Sequence, residues 1–228
     1  MVRKDSPEIE INVHSTPAAA AQSSSQPPNQ NNAPEEWFPW LVPTIFIINV
    51  ALFILSMYIN NCPAHSRSCV GIQSLHRFAF ENIHENPLLG PSTSTLLQMG
   101  ALDANKVFQG QRWRIFTCMW LHAGVFHIFT NMLSLLSVGI RLEQEFGFAR
   151  IGLLYIVSGI GGSLLSSLFI RKTISVGASG ALFGLLGAML SELLTNWAIY
   201  ANKVCSCLMV LILIQITRVY PFTKKRGM

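Results

Sequence analysis

The chain has 228 residues, half of them hydrophobic and 12% charged, with a positive mean hydropathy. Soluble domains carry roughly 25% charged residues, so the composition excludes an ordinary water-soluble globule and fits one membrane domain. The net charge of +5 is scattered between apolar segments, apart from a cluster at Lys224, Lys225 and Arg226; this suits the flanks of membrane spans and excludes a nucleic-acid surface.

Residues 1–36 are rich in Ser, Pro, Gln, Asn and Ala. They offer too little apolar surface to offset their ordering entropy and read as a disordered, cytosolic tail. With no apolar run near the start, no cleavable signal peptide is expected, and insertion begins at the first internal span. That span is 41–58, led by Trp37 and Trp40 as interfacial anchors. A long loop follows over 59–113, broken by Pro63, Pro87, Gly90, Pro91, Gly100 and Gly110. Its aromatics Phe78, Phe80, Phe108 and Trp113 place it on the membrane interface, and loops of this length are usually functional.

Further apolar segments at 115–140, 151–170 and 173–191 each approach the roughly 20 residues that cross a bilayer as a helix. A shorter one, 204–217, is marginal, and a basic tail occupies 218–228. The membrane domain is therefore 37–217. With the N-terminal tail cytosolic, the turn carrying Arg141 and Arg150 is cytosolic too, and the long loop and the Arg171-Lys172 turn lie outside. The same scheme puts the basic tail on the wrong side. Cys62 and Cys69 share one loop and either pair in an oxidising lumen or stay unpaired. Cys205 and Cys207 lack the spacing of a metal knuckle and read as packed or lipid-facing thiols, so neither a metal nor another cofactor is expected.

Polar side chains inside spans are costly and are functional hypotheses by default. His127 and Asn131, four residues apart, share a helical face; His122 points elsewhere. Two readings fit them: hydrogen bonding between helices, or donation to a developing oxyanion. Ser179, in Gly177-Ala178-Ser179-Gly180, is either a small packing residue or a nucleophile whose flanking glycines free the backbone around its hydroxyl. Gly184 and Gly187 follow on nearly the same side.

Taken together, Gly177-Ala178-Ser179-Gly180, His122, His127 and Asn131 resemble the rhomboid family of intramembrane serine proteases. Trp113-Arg114 matches that family's tryptophan–arginine motif, and the stretch from Gly139 through Arg141 and Glu143 to Gly147 resembles its signature after the second span. The wording of Asn86 to Ser92 and of Ser175 to Gly187 is closest to plant rhomboid-like proteins of the secretory pathway. The resemblance covers roughly residues 38 to 203. It implies an all-α, polytopic rhomboid-like helical bundle with Ser179 as nucleophile. His127 and Asn131, with the Ser179 amide, take the oxyanion positions, while His122, Gly177, Gly180, Trp113, Arg114 and Glu143 support them. Single-span transmembrane clients, the lipid bilayer, helix-mediated self-association and a secretory membrane, such as the Golgi, are implied as surroundings.

The family carries its base, a histidine, on a sixth span. All six histidines here precede Ser179, which leaves the bundle truncated after about five transmembrane segments. A serine without a base is a poor nucleophile. The expectation is a chain that is inactive on its own, either one form of a rhomboid protease or a pseudoprotease that binds transmembrane helices and affects their trafficking or turnover. A small transporter or channel is disfavoured, because these polar groups match protease roles rather than lining paired half-helices.

Overall fold

The computed structural model describes residues 38–171 and 173–196. The N-terminal tail, the fifth segment with Cys205 and Cys207, and the basic tail lie outside the described residues. Among the described residues the regular structure is helical, with two isolated β-bridges, Val70 to Phe80 and Leu102 to Ser175.

The first long helix, α1 (Leu41–Asn60), stops where Asn61 turns left-handed at φ 41° ahead of Pro63. The loop beyond it is built from short helical turns: α2 (Ile72–Leu75), α3 (Thr93–Met99), α4 (Ala104–Phe108) and α5 (Arg114–Thr117). Ser92 caps α3 by accepting from the Thr95 amide, and Asp103 caps α4 by accepting from Asn105 and Lys106. Cys62 and Cys69 form a disulfide, so of the two readings of this pair the structure takes the bridged one. Beside it, Glu81 is buried and accepts from Asn60 Nδ2 at 2.9 Å and meets His65 Nε2 at 2.9 Å. The ligand atoms of Cys62, His65 and Glu81 lie within 4.8 Å of one another, but the sulfur is committed to the disulfide.

The second apolar segment is not one helix over 115–140. After α5 and a 3-10 turn (Cys118–Trp120), the backbone is extended at Leu121 and reaches φ 175°, ψ 177° at Gly124. The long helix starts only at Val125. It runs as α6 (Val125–Ser134), a π-helical turn (Leu135–Gly139) and α7 (Ile140–Phe146). Hydropathy could not reveal the break, because Leu121, Ala123 and Gly124 are as apolar as a helix interior; the cause is the loop backbone packed against Gly124.

Helix α8 (Phe148–Phe169) follows the single-residue turn at Gly147, and α9 (Ser179–Thr195) begins at Ser179 itself, six residues later than the apolar segment beginning at 173. Three long helices, Leu41–Ala64, Val125–Phe146 and Phe148–Phe169, are long and apolar enough to cross a membrane; Ser179–Thr195 is apolar and shorter. Helices α8 and α9 run antiparallel at close quarters. A Cβ on Gly162 would stand 2.8 Å from the Gly180 Cα, one on Gly159 would overlap Met119, and one on Gly184 would overlap Ser158. Small residues permit this approach, which membrane helices use in place of a hydrophobic driving force. Gly184 therefore faces α8, whereas Gly187 meets nothing within 4 Å among the described residues, so the two glycines do not share one open face there. Leu185 and Leu186 are buried in the core with Leu182 and Met189.

Glu143 ties the bundle together at one end. It is fully buried, and its carboxylate accepts from the amides of Trp40 (2.9 Å), Leu41 (2.7 Å) and Val42 (2.8 Å). These are the first amides of α1, which have no partner within their own helix. The negative charge also suits the positive end of the helix dipole. The start of α1 and the end of α7 thus lie at the same end, together with the Arg141–Glu192 ion pair at 3.3 Å.

Candidate active site

At the opposite end of the bundle the polar side chains converge. The approach to Ser179 is an extended strip. Leu102 and Ser175 exchange both amide hydrogen bonds (3.0 and 2.9 Å), and the Gly177 amide donates to the Cys118 carbonyl at 3.0 Å. These bonds fix the strip as far as Gly177; the backbone then bends at Gly177 and Ala178 and enters α9 at Ser179, whose amide lies in the first turn with no intrahelical acceptor.

Gly177 is where the sequence leaves no choice. Its φ of +108° disfavours any side chain, and a Cβ there would stand 2.6 Å from His127 Cε1, 2.9 Å from His127 Nε2 and 3.4 Å from Asn131 Nδ2. The space a side chain would need is filled by the two groups on α6. His127 and Asn131 are thereby brought together with the Gly177–Ser179 strip, as the four-residue spacing requires. Both polar atoms of the Asn131 amide are buried without a hydrogen-bond partner among the described residues, as is Ser134 Oγ. Buried amides are normally paired, so the Asn131 amide beside Gly177 has hydrogen-bonding capacity left unused.

The tautomer of His127 follows from its other side. Its Nδ1 accepts from the Ala123 amide at a long 3.4 Å. A neutral imidazole that accepts at Nδ1 carries its proton on Nε2. The ring nitrogen beside Gly177, Nε2, is then a donor. His122, expected to point away, instead lies against His127, with ring centroids 5.4 Å apart, and is fully buried. Its position under the loop, beside the mouth of α6, is what the five-residue spacing did not convey.

The remaining sequence-derived residues stand farther off. Arg114 donates from Nη1 to the carbonyls of Leu97 (2.8 Å) and Ala101 (2.9 Å) and from Nε to Gln111 at 2.7 Å, fastening the C-terminal end of α3. Trp113 lies over that guanidinium at 4.6 Å and covers Gly100. Gly180 forms the α8–α9 crossing described above. Glu143 belongs to the far end of the bundle. Sequence reasoning passed over the contact between the loop and the mouth of α6. Asn86 Nδ2 donates to the carbonyls of Ala123 (2.7 Å) and Pro91 (2.8 Å), its Oδ1 accepts from Leu88, and the Val125 amide donates to Leu89. A polar residue between Glu85 and Pro87, followed by two leucines, was the available signal.

A helical membrane bundle with a serine at a helix N-terminus, two residues after a glycine packed against a histidine and an asparagine, defines the class. The family profile described as Rhomboid domain matches residues 109–226. RHOMBOID-like protein 1 of Arabidopsis thaliana is 66% identical over 181 residues, covering 79% of this chain and 46% of that protein. Inactive RHOMBOID-like protein 8 of the same plant is 45% identical over 166 residues (72% of this chain, 47% of that protein), and Rhomboid protease GluP of Bacillus subtilis (strain 168) is 34% identical over 163 (71% and 31%). The chain belongs to the rhomboid family. It spans about half the length of the curated relatives it matches.

Proposed function

We propose that the chain carries the serine and oxyanion half of an intramembrane serine protease, and that these 228 residues alone do not hydrolyse peptide bonds. The observation that carries the reading is the convergence of His127 and Asn131 on the backbone beside Ser179. In the proposed reaction Ser179 Oγ adds to the scissile carbonyl and its proton passes to a base. The carbonyl oxygen, now negative, receives hydrogen bonds from His127 Nε2–H, Asn131 Nδ2–H and the Ser179 amide. The C–N bond breaks as the base returns the proton to the leaving amine, and water then hydrolyses the serine ester.

The base is the missing partner. No histidine follows Ser179 in this sequence. His127 is unsuited to the role, since its Nδ1 is engaged by Ala123 and its Nε2 is a donor. In serine triads, removing the base costs on the order of 10⁴ or more in rate. The 228 residues therefore act as a protease only when another polypeptide segment brings a histidine to Ser179. In lipid vesicles with a single-span substrate, this chain is expected to give neither cleavage nor labelling of Ser179 by a serine-reactive probe. Labelling that disappears in Ser179→Ala overturns the inactivity. A longer product bearing a downstream histidine is expected to cleave, and cleavage that survives Ser179→Ala in that product defeats the protease reading itself.

The second reading is a pseudoprotease that binds single-span transmembrane helices without cutting them. It is supported by similarity to a relative named inactive. Photo-crosslinking from Gly187, whose side of α9 meets nothing within 4 Å among the described residues, would capture a client helix or a second copy of this chain; no captured helix in native membranes counts against this reading. A secretory membrane is supported by the Cys62–Cys69 disulfide, which requires an oxidising compartment on the loop side.

A further inference from the structure

We infer that Asn86 is a positioning residue for the oxyanion site, holding Ala123 across the junction of loop and helix so that His127 keeps its proton on Nε2. The inference rests on reading His127 as an oxyanion donor.

Four observations converge on Ala123. Its amide is the group that donates to His127 Nδ1, at 3.4 Å. Its carbonyl accepts from Asn86 Nδ2 at 2.7 Å, a shorter bond from a fully buried side chain. The next free amide, that of Val125, is bound by the Leu89 carbonyl at 2.9 Å. Finally, the two backbones touch through glycines: a Cβ on Gly90 would overlap the Ala123 carbonyl, and one on Gly124 would overlap that of Leu88. Residue 123 is therefore fixed from the loop side, not from within α6, which begins only at Val125.

Asn86 suits this task chemically. Both hydrogens of its amide nitrogen are used, one on Ala123 and one on the Pro91 carbonyl, and its oxygen accepts from the Leu88 amide. The side chain thus closes its own turn and reaches across it in the same geometry. Leu89 adopts φ +55° within that turn, a conformation leucine rarely takes, so the surroundings over-determine the loop here. A loose Ala123 would rotate its amide away from Nδ1. The imidazole would then be free to move its proton to Nδ1, leaving a lone pair at Nε2 to face a negatively charged oxygen.

The test reads the proton, not turnover. The full chain is labelled with ¹⁵N-histidine and placed in lipid nanodiscs, and His127→Gln identifies the His127 signals. The unmodified chain is expected to show one tautomer at His127, protonated at Nε2 and unprotonated at Nδ1. Asn86→Ala removes the reach to Ala123, and Asn86→Asp keeps the acceptor for Leu88 while removing both donors. Each is expected to replace the single tautomer with an exchanging mixture. The pair Cys62→Ser and Cys69→Ser, which loosens the same loop away from Ala123, is expected to lower the unfolding temperature and leave the His127 signals in place. A wild-type chain carrying Nδ1–H overturns the inference, as do folded Asn86 variants with an unchanged His127. A tautomer shift in a protein whose longer product never reacts at Ser179 leaves the positioning role standing and removes only the protease reading.

Discussion

The smallest side chains make the largest demands here. Gly177 combines a left-handed backbone with a space already taken by His127 and Asn131. Gly177→Ala is expected to cost about 1–3 kcal/mol of stability through backbone strain, read by thermal unfolding in detergent, and to displace the His127 ring. Glu143 makes a contrasting case. Its replacement by Gln leaves one good acceptor where two oxygens served three amides, and is expected to cost about 1–3 kcal/mol. Sixteen residues separate it from His127, about 24 Å along a helix, so Glu143→Gln is expected to leave the His127 tautomer untouched. The sequence made His127, Asn131 and Ser179 legible because polar groups in an apolar run have to be accounted for. It did not make the partner of Glu143 legible: a carboxylate capping a helix a hundred residues away leaves no local pattern.

At the level of elements, the α8–α9 crossing sets where Ser179 stands. Gly162 faces Gly180 across this crossing, whereas Gly161, its neighbour in sequence, meets nothing within 4 Å among the described residues. Gly162→Val is expected to destabilise the bundle by about 1–3 kcal/mol through overpacking. Gly161→Val is expected to stay within about 0.5 kcal/mol of the parent; equal effects in unfolding titrations would contradict the crossing. Hydropathy located these two helices, yet it could not say which glycines are contacts, since that depends on the neighbour rather than on the residue. It failed in the same way at Leu121–Gly124, where an apolar stretch is extended because Leu88 and Gly90 lie against it. The long loop, legible only as a probable working part in an ordinary linear reading, proves to be a folded cover whose hydrogen bonds end at the mouth of α6.

For the molecule as a whole, the two ends of the bundle carry different work: Glu143, Arg141 and Glu192 fasten one end, and the loop, His127 and Ser179 occupy the other. Under the proposed reading, the disulfide at the loop end supports an oxidising compartment on that side. His84→Ser completes an Asn-x-Ser acceptor at Asn82 and is expected to add an enzymatically removable glycan in a secretory membrane; an acceptor placed between Arg141 and Arg150 is expected to stay bare, and the reverse result would invert the topology. The π-helical turn at Leu135–Gly139 lies between these ends. A turn of this kind holds one residue more than an α-turn, and one residue corresponds to about 100° of helical rotation. The turn therefore acts as a phase shifter: it lets one continuous helix aim Asn131 at Gly177 and Glu143 at the first helix, two bearings that a uniform α-helix of this sequence would set differently. Deleting Ser137 removes the extra residue and is expected to restore uniform winding with both bearings kept, so that the shortened chain retains both the Glu143 anchor and the approach of His127 and Asn131 to Gly177.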